Sequence, residues 1–418
     1  MLRASADKLG RNCHKEGKKF PTRAREGLSR RAIHVFRRRL TLAARDKSIR
    51  GRARPLLVKV LPMLLSRRHT LQGLAALGTA GLLARPALAQ SRTLTVSTWG
   101  GVTEEGIKAY VQPEFERLTG ARLAYDIGGQ GARYNKLMAQ RANPPADVFF
   151  STDEAVISGQ KAGILTTASR KNVPNIADIE ERVRTVKSGE TDETIAGAPY
   201  TLIAYVPGYN PEKVTAPVTS WADLWRPEFQ GKLAFASPVH SQMPAFVILA
   251  AEMAGGSAEN VDPGFKKLAE LKPAKLTVFW TDWAPLAKSG DVTLATEFDY
   301  YLETMKDQKY PIEYAIPKEK GIGVPEYVSV VKGTKNQELA EAFLNLMLDP
   351  KVQAGFAAST YSGTTNRKAE LPESVRSRCA CGARADQLRF FDPALFAARR
   401  PLWTERMNLE VVPSWQTR

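Results

Sequence analysis

Histidine and cysteine are scarce in this chain, with four and three respectively among 418 residues. Past residue 90 only His240, Cys379 and Cys381 remain. A Ser-His-Asp arrangement there has a single possible base, and a histidine–cysteine metal site lacks ligands. Gly-x-Ser-x-Gly, the phosphate-cradling Gly-x-x-x-x-Gly-Lys and His-Glu-x-x-His are also missing. No stretch after Gln90 is apolar enough to span a bilayer. These absences weigh against an enzyme and imply no cofactor. A secreted hydrolase using paired carboxylates is the distant alternative. Cys379 and Cys381, one residue apart, could close only a tight ring and are read as local structure.

Charge is distributed just as unevenly. The whole chain has 60 Lys+Arg against 43 Asp+Glu, a net of +17 with a pI near 9.7. Those totals suggest nucleic-acid binding. Residues 1–90, however, hold 22 of the basic and 4 of the acidic residues, so the part after Gln90 nets −1. The nucleic-acid reading falls with that division. Inside the basic leader, Ser66-Arg67-Arg68 precedes an uncharged span of about 15 residues and the ending Ala87-Leu88-Ala89. That is the order of a cleaved export signal, too short for the ~20 residues of a membrane-crossing helix. The paired arginines point to the twin-arginine route, although Thr70 stands where that motif usually has Phe. Met63 lies where such a signal would begin. We therefore expect residues 1–62 to be a mis-called or disordered extension. Residues 63–90 are the signal peptide, cleaved near Ala89, and the product is periplasmic.

The remaining residues, about 328, suffice for two domains. Strand-like runs occur at Thr93–Trp99, Asp147–Phe150, Tyr200–Val206, Lys232–Ala236, Leu276–Trp280, Val292–Thr296, Ile312–Ile316 and Tyr327–Val331. Helical patterns lie between most of them. Ile107, Val111, Phe115 and Leu118 form one apolar stripe, with Pro113 expected to bend it. Asp349-Pro350 reads as a cap and first helical residue. This alternation predicts an α/β fold with mostly parallel sheets flanked by helices. Two segments, Tyr200–Tyr209 and Ile312–Tyr327, read as crossovers between two lobes. The first lobe comprises 91–199 plus 325–418, and an inserted second lobe comprises 207–312. Two joining strands make a hinge, with a cleft between the lobes.

Several pieces then carry a resemblance. They are Trp99-Gly100-Gly101, Pro145-Ala146-Asp147-Val148-Phe149-Phe150, Ser220-Trp221-Ala222-Asp223-Leu224-Trp225, Phe229-Gln230-Gly231-Lys232-Leu233, Lys332-Gly333-Thr334-Lys335-Asn336 and Ala342–Leu348. In this order and spacing, over most of residues 93–370, the chain resembles the family 1 extracellular solute-binding proteins. The resemblance implies a two-lobed periplasmic-binding-protein fold of type II with two hinge crossovers. It implies a monomeric receptor that closes on a small molecule and delivers it to an ABC-transporter permease.

Within that family the chain is most similar to the polyamine branch, notably at Pro317-Lys318-Glu319 and Asn336–Leu348. An organic amine is held by aromatic faces, worth ~0.5–2 kcal/mol each, and by charge-assisted bonds to carboxylates. Candidates at strand ends, where a cleft opens, are Trp99, Gly100, Asp153, Tyr205, Ser237, Trp280, Glu297, Asp299, Tyr300, Tyr301 and Tyr361. Against a polyamine, Ser237-Pro238-Val239-His240 stands where that branch tends to carry acids. The alternative is a ferric-ion receptor, because Tyr300-Tyr301 resembles the tandem tyrosines of the iron-binding branch. Asp153 would be the third ligand.

Overall fold

The computed structural model describes residues 92–416, and the expected extension and signal peptide lie outside them. Strands β1 (Thr93–Thr98), β2 (Arg122–Ile127) and β3 (Val148–Thr152) form one parallel group with β1 in the middle. After the long strand β4 (Ala198–Tyr209) comes a second parallel group. It consists of β5 (Leu233–Ala236), β6 (Pro273–Thr277) and β7 (Leu294–Phe298), with β5 central. A second long strand, β8 (Gly321–Val331), runs antiparallel to both β3 and β4, and β4 runs antiparallel to β7. The spatial order is β2-β1-β3-β8-β4-β7-β5-β6. The chain thus crosses between two parallel groups on two antiparallel strands, the two-lobed α/β plan.

Sequence explains these strands locally. Every residue of β3 and β8 is buried, and such runs are apolar without alternation, as sheets covered on both faces require. The pairing of β8 with β4 slips between Glu326 and Tyr327. A slip of this kind re-aims a side chain and bends a strand. It falls midway along the crossover.

Helices cover both faces of the sheet. The expected bend at Pro113 is absorbed by a π turn, Ile107–Val111, so that proline sits at the start of the helix Gln112–Thr119. Asp349 accepts hydrogen bonds from the Lys351 and Val352 backbone N–H groups and Pro350 opens the helix behind it. Four further helices position the site: α1 (Gln130–Ala139), α2 (Asp153–Lys161), α3 (Met243–Met253) and α4 (Asp299–Asp307).

Two large apolar cores result, with smaller clusters beside them. In the first, Phe115 and Phe150 both pack edge-on to Phe343, and Tyr200 packs on Phe356. In the second, Phe246 on α3 meets Phe235 at 4.7 Å and Trp221 at 5.3 Å. Trp221 and Trp225 pack here rather than facing a ligand, donating their indole N–H groups to Lys320 O and Lys267 O. The C-terminal helix α5 (Pro393–Arg406) and its continuation differ from the expectation that 325–418 stays with the first lobe. Phe396, Trp403, Met407, Val411 and Trp415 join the second core, with Trp415 edge-on to Phe235 at 5.8 Å. Their spacing of seven, four, four and four makes one helical stripe, and the apolar flank of α3 is where it buries. Cys379 and Cys381 are joined as a disulfide, buried against Ala357, Leu371 and Val375.

Candidate functional site

A cavity of about 670 Å³ opens where the carboxyl ends of both parallel groups face each other, the usual place for a ligand in such sheets. From the first group come Trp99 after β1, Gln130 at the start of α1, Thr152 at the end of β3 and Glu154 after it. From the second come His240 and Ser241 after β5, Phe279 after β6, Phe298 at the end of β7, and Tyr300 and Tyr301 after it. Glu326 on the crossover strand β8 forms part of the lining, and α5 contributes Ala397, Arg400 and Pro401.

Six aromatic rings line the cavity: Trp99, Tyr134, Phe279, Phe298, Tyr300 and Tyr301. Tyr300 and Tyr301 have ring centroids 4.0 Å apart, and Trp99 stands edge-on to Phe150 at 6.5 Å. Behind Trp99 lies Arg133, 2% exposed. Its Nε donates to Gly128 O at 2.7 Å and its Nη1 to Ser97 O and Phe150 O, both at 3.0 Å. The guanidinium sits 5.0 Å from the Trp99 ring and 4.8 Å from that of Phe149. Burial lowers it to about 10, still well above neutrality. It is therefore a fixed positive charge holding the back wall.

Two carboxylates line the cavity, and their circumstances differ. Glu154 is occupied: Arg400 Nε donates to Oε2 at 3.0 Å and Ser158 to Oε1 at 3.2 Å. Glu326 accepts one hydrogen bond, from the Tyr200 hydroxyl on Oε2 at 2.8 Å; among the described residues no donor reaches Oε1. Burial pushes Glu326 up to about 7, opposed by the Tyr200 bond and the Arg133 charge. His240 is held down at about 3 by burial and by the Arg400 charge, so it is neutral. Its Nδ1 accepts from the Gln242 backbone N–H, which leaves the proton on Nε2.

Of the residues expected to meet a ligand, Trp99, Tyr300 and Tyr301 line the cavity. Several others do not. Tyr205 is fully buried behind Phe298 and His240 and donates to Thr296 O. Glu297 accepts from the Trp283 indole and the Phe298 N–H, a buried pairing that fixes the turn after β7. Asp299 is wholly buried and accepts from the Ala204 and Tyr300 N–H groups, joining α4 to β4. Burial pushes both carboxyls up to about 7. Asp153 turns away, accepting from Thr185, and borders a separate small cavity with Gln242 and Phe396. Tyr361 donates to Asp307 beneath the Arg378 guanidinium on another face. Gly100 and Ser237 lie beside the cavity without lining it. The side chain of Trp280 lies outside the described part of the structure.

The strand-end acids Glu297 and Asp299 serve as turn anchors beside the cavity. Glu326 went unnoticed, although a lone acid in the buried run Val324-Pro325-Glu326-Tyr327-Val328 was a readable signal. Arg400 gave none, since its partner lies 246 positions away.

Residues 114–380 match the family described as bacterial extracellular solute-binding protein. The chain is 27% identical over 332 residues to the gamma-aminobutyric acid-binding protein of Pseudomonas aeruginosa, spanning 74% of this chain and 87% of that one. It is 24% identical over 284 residues to the spermidine/putrescine-binding periplasmic protein of Escherichia coli, spanning 64% and 79%. A crystal structure of an ABC transporter from Clostridium perfringens superposes with a TM-score of 0.64 at 26% identity, spanning 76% of this chain and 99% of that one.

Proposed function

The chain belongs to the bacterial extracellular solute-binding proteins, the non-enzymatic receptors of ABC transporters, and on that premise we propose that its cleft captures a small organic amine. The observation that carries this reading is Glu326: a buried carboxylate with one oxygen open to a cavity walled by aromatic rings. An ammonium at Oε1 gains a charge-assisted hydrogen bond, and its methylenes gain the faces of Trp99, Phe279 and Tyr301. The two named relatives above bind molecules carrying amino groups, which supports the same class.

The lobes close about β4 and β8, the first lobe beginning near residue 91 and the second taking in 207–312 with the C-terminal helix. Ligand touching both lobes shifts the population toward the closed form. A monomer exported through the 63–90 signal then presents its cargo to the permease in the periplasm. No helix among the described residues is long and apolar enough to cross a membrane.

The ferric reading keeps Tyr300 and Tyr301 but loses Asp153, which faces Thr185 instead. Burial raises both phenols well above their ordinary value, which opposes the phenolate form iron requires. The amine reading is favoured.

Melting curves of residues 91–418 with an amine panel test it. At least one amine should raise Tm, and Glu326→Gln should remove that rise while leaving the fold intact. A Glu326→Gln protein that responds as the parent does would end the assignment of Glu326.

A further inference from the structure

The second carboxylate of the cleft is cancelled from outside the family match. Arg400 belongs to α5, beyond residue 380 where that match ends. Its Nε reaches Glu154 on α2, while Nη1 and Nη2 donate to His240 O at 3.1 Å and Ser241 O at 2.8 Å after β5. One guanidinium therefore links a helix of the first parallel group to a loop of the second. In doing so it fills the Glu154 carboxylate from the cavity side.

Resting on the amine reading above, we infer that Arg400 is the specificity-determining residue that restricts the cleft to ligands bearing one ammonium and an apolar body. The argument is a census of charge. A diamine brings two cations and needs a carboxylate at each end, because an ammonium moved into an apolar cavity without a partner is strongly disfavoured. Glu326 serves one end. Glu154 would serve the other, but its two oxygens are held by Arg400 and Ser158. What shares the cavity wall with Glu326 instead is ring surface from Trp99, Phe279, Phe298, Tyr300 and Tyr301. Such a wall suits an aryl or alkyl body.

Titration calorimetry on residues 91–418 with 2-phenylethylamine, n-butylamine and 1,4-diaminobutane decides the matter. The parent should bind both monoamines at least about tenfold more tightly than the diamine, the size of one unmade charge-assisted hydrogen bond. Arg400→Met frees Glu154 and should move the diamine-to-monoamine affinity ratio at least about tenfold toward the diamine. Adding Glu154→Gln to that variant should return the ratio to the parent's. Because the readout is a ratio within one protein, a general loss of closure in the variant cancels. Should Arg400→Met not fold, the parent's own ratio and that of Glu154→Gln, which should leave the diamine the weaker ligand, still decide. A parent that prefers the diamine, or an Arg400→Met ratio equal to the parent's, overturns the restriction while leaving the amine reading in place. Binding of none of the three amines by any variant removes both.

Discussion

Glu326 holds two roles that pull its protonation in opposite directions. Burial favours the neutral acid and pushes it up to about 7, whereas an ammonium ligand needs the carboxylate. A folded-state value above the unfolded one makes the empty protein bind the extra proton. Stability relative to the unfolded chain is therefore lost as pH rises from the ordinary glutamate value of 4.5 to about 7, and the cost is constant above that. The cost at pH 8 is up to about 3 kcal/mol. Glu326→Gln should accordingly raise the Tm of the empty protein at pH 8 and change it little at pH 5, as scanning calorimetry would record. Amine affinity should follow the opposite course, rising from pH 6 to pH 8. Ligand uptake near neutrality should release a proton, which calorimetry in buffers of different ionisation enthalpy would detect. Asp299 and Glu297 share the raised value for the same reason. They were legible as acids at strand ends, but not as anchors for backbone N–H groups, because a partner such as Ala204 is 95 positions distant.

Among the elements, the C-terminal helix does what a terminal segment seldom needs to do. It supplies part of the second core through Trp403, Met407 and Trp415, and part of the cavity wall through Arg400. Trp403→Ala should lower stability by about 3–5 kcal/mol, read as a shift in urea midpoint with the slope unchanged. A loss of less than 1 kcal/mol would show that the helix rides on the surface. The expectation that 325–418 forms part of the first lobe does not foresee this packing, since an apolar stripe specifies burial without naming the surface that buries it. The strands were easier. Short apolar runs marked β1, β3, β4, β5, β7 and β8 because strands covered on both faces admit few other patterns. The run at Leu276–Trp280 is offset from β6, which spans Pro273–Thr277. The strand ends at Thr277, where the Val278 and Phe279 N–H groups turn to Asp282.

For the molecule as a whole, the proposed motion turns on the two crossover strands. β4 and β8 are the only covalent paths between the parallel groups among the described residues apart from the segment leading to α5. On the closure proposed above, rotation about them would widen or shut the cleft. Small-angle scattering should show the radius of gyration falling when a bound amine is added, and staying constant in Glu326→Gln under the same addition. A parent equally compact with and without ligand would leave the hinge without a role.

The family match stops at residue 380, whereas the cleft is finished by residues near 400. One proposed determinant of selectivity, Arg400, thus lies outside the stretch that carries most of the scaffold. Exchanging the Arg400 side chain alone would then retune which cargo is accepted, while the apolar stripe of the same helix stays in the second core.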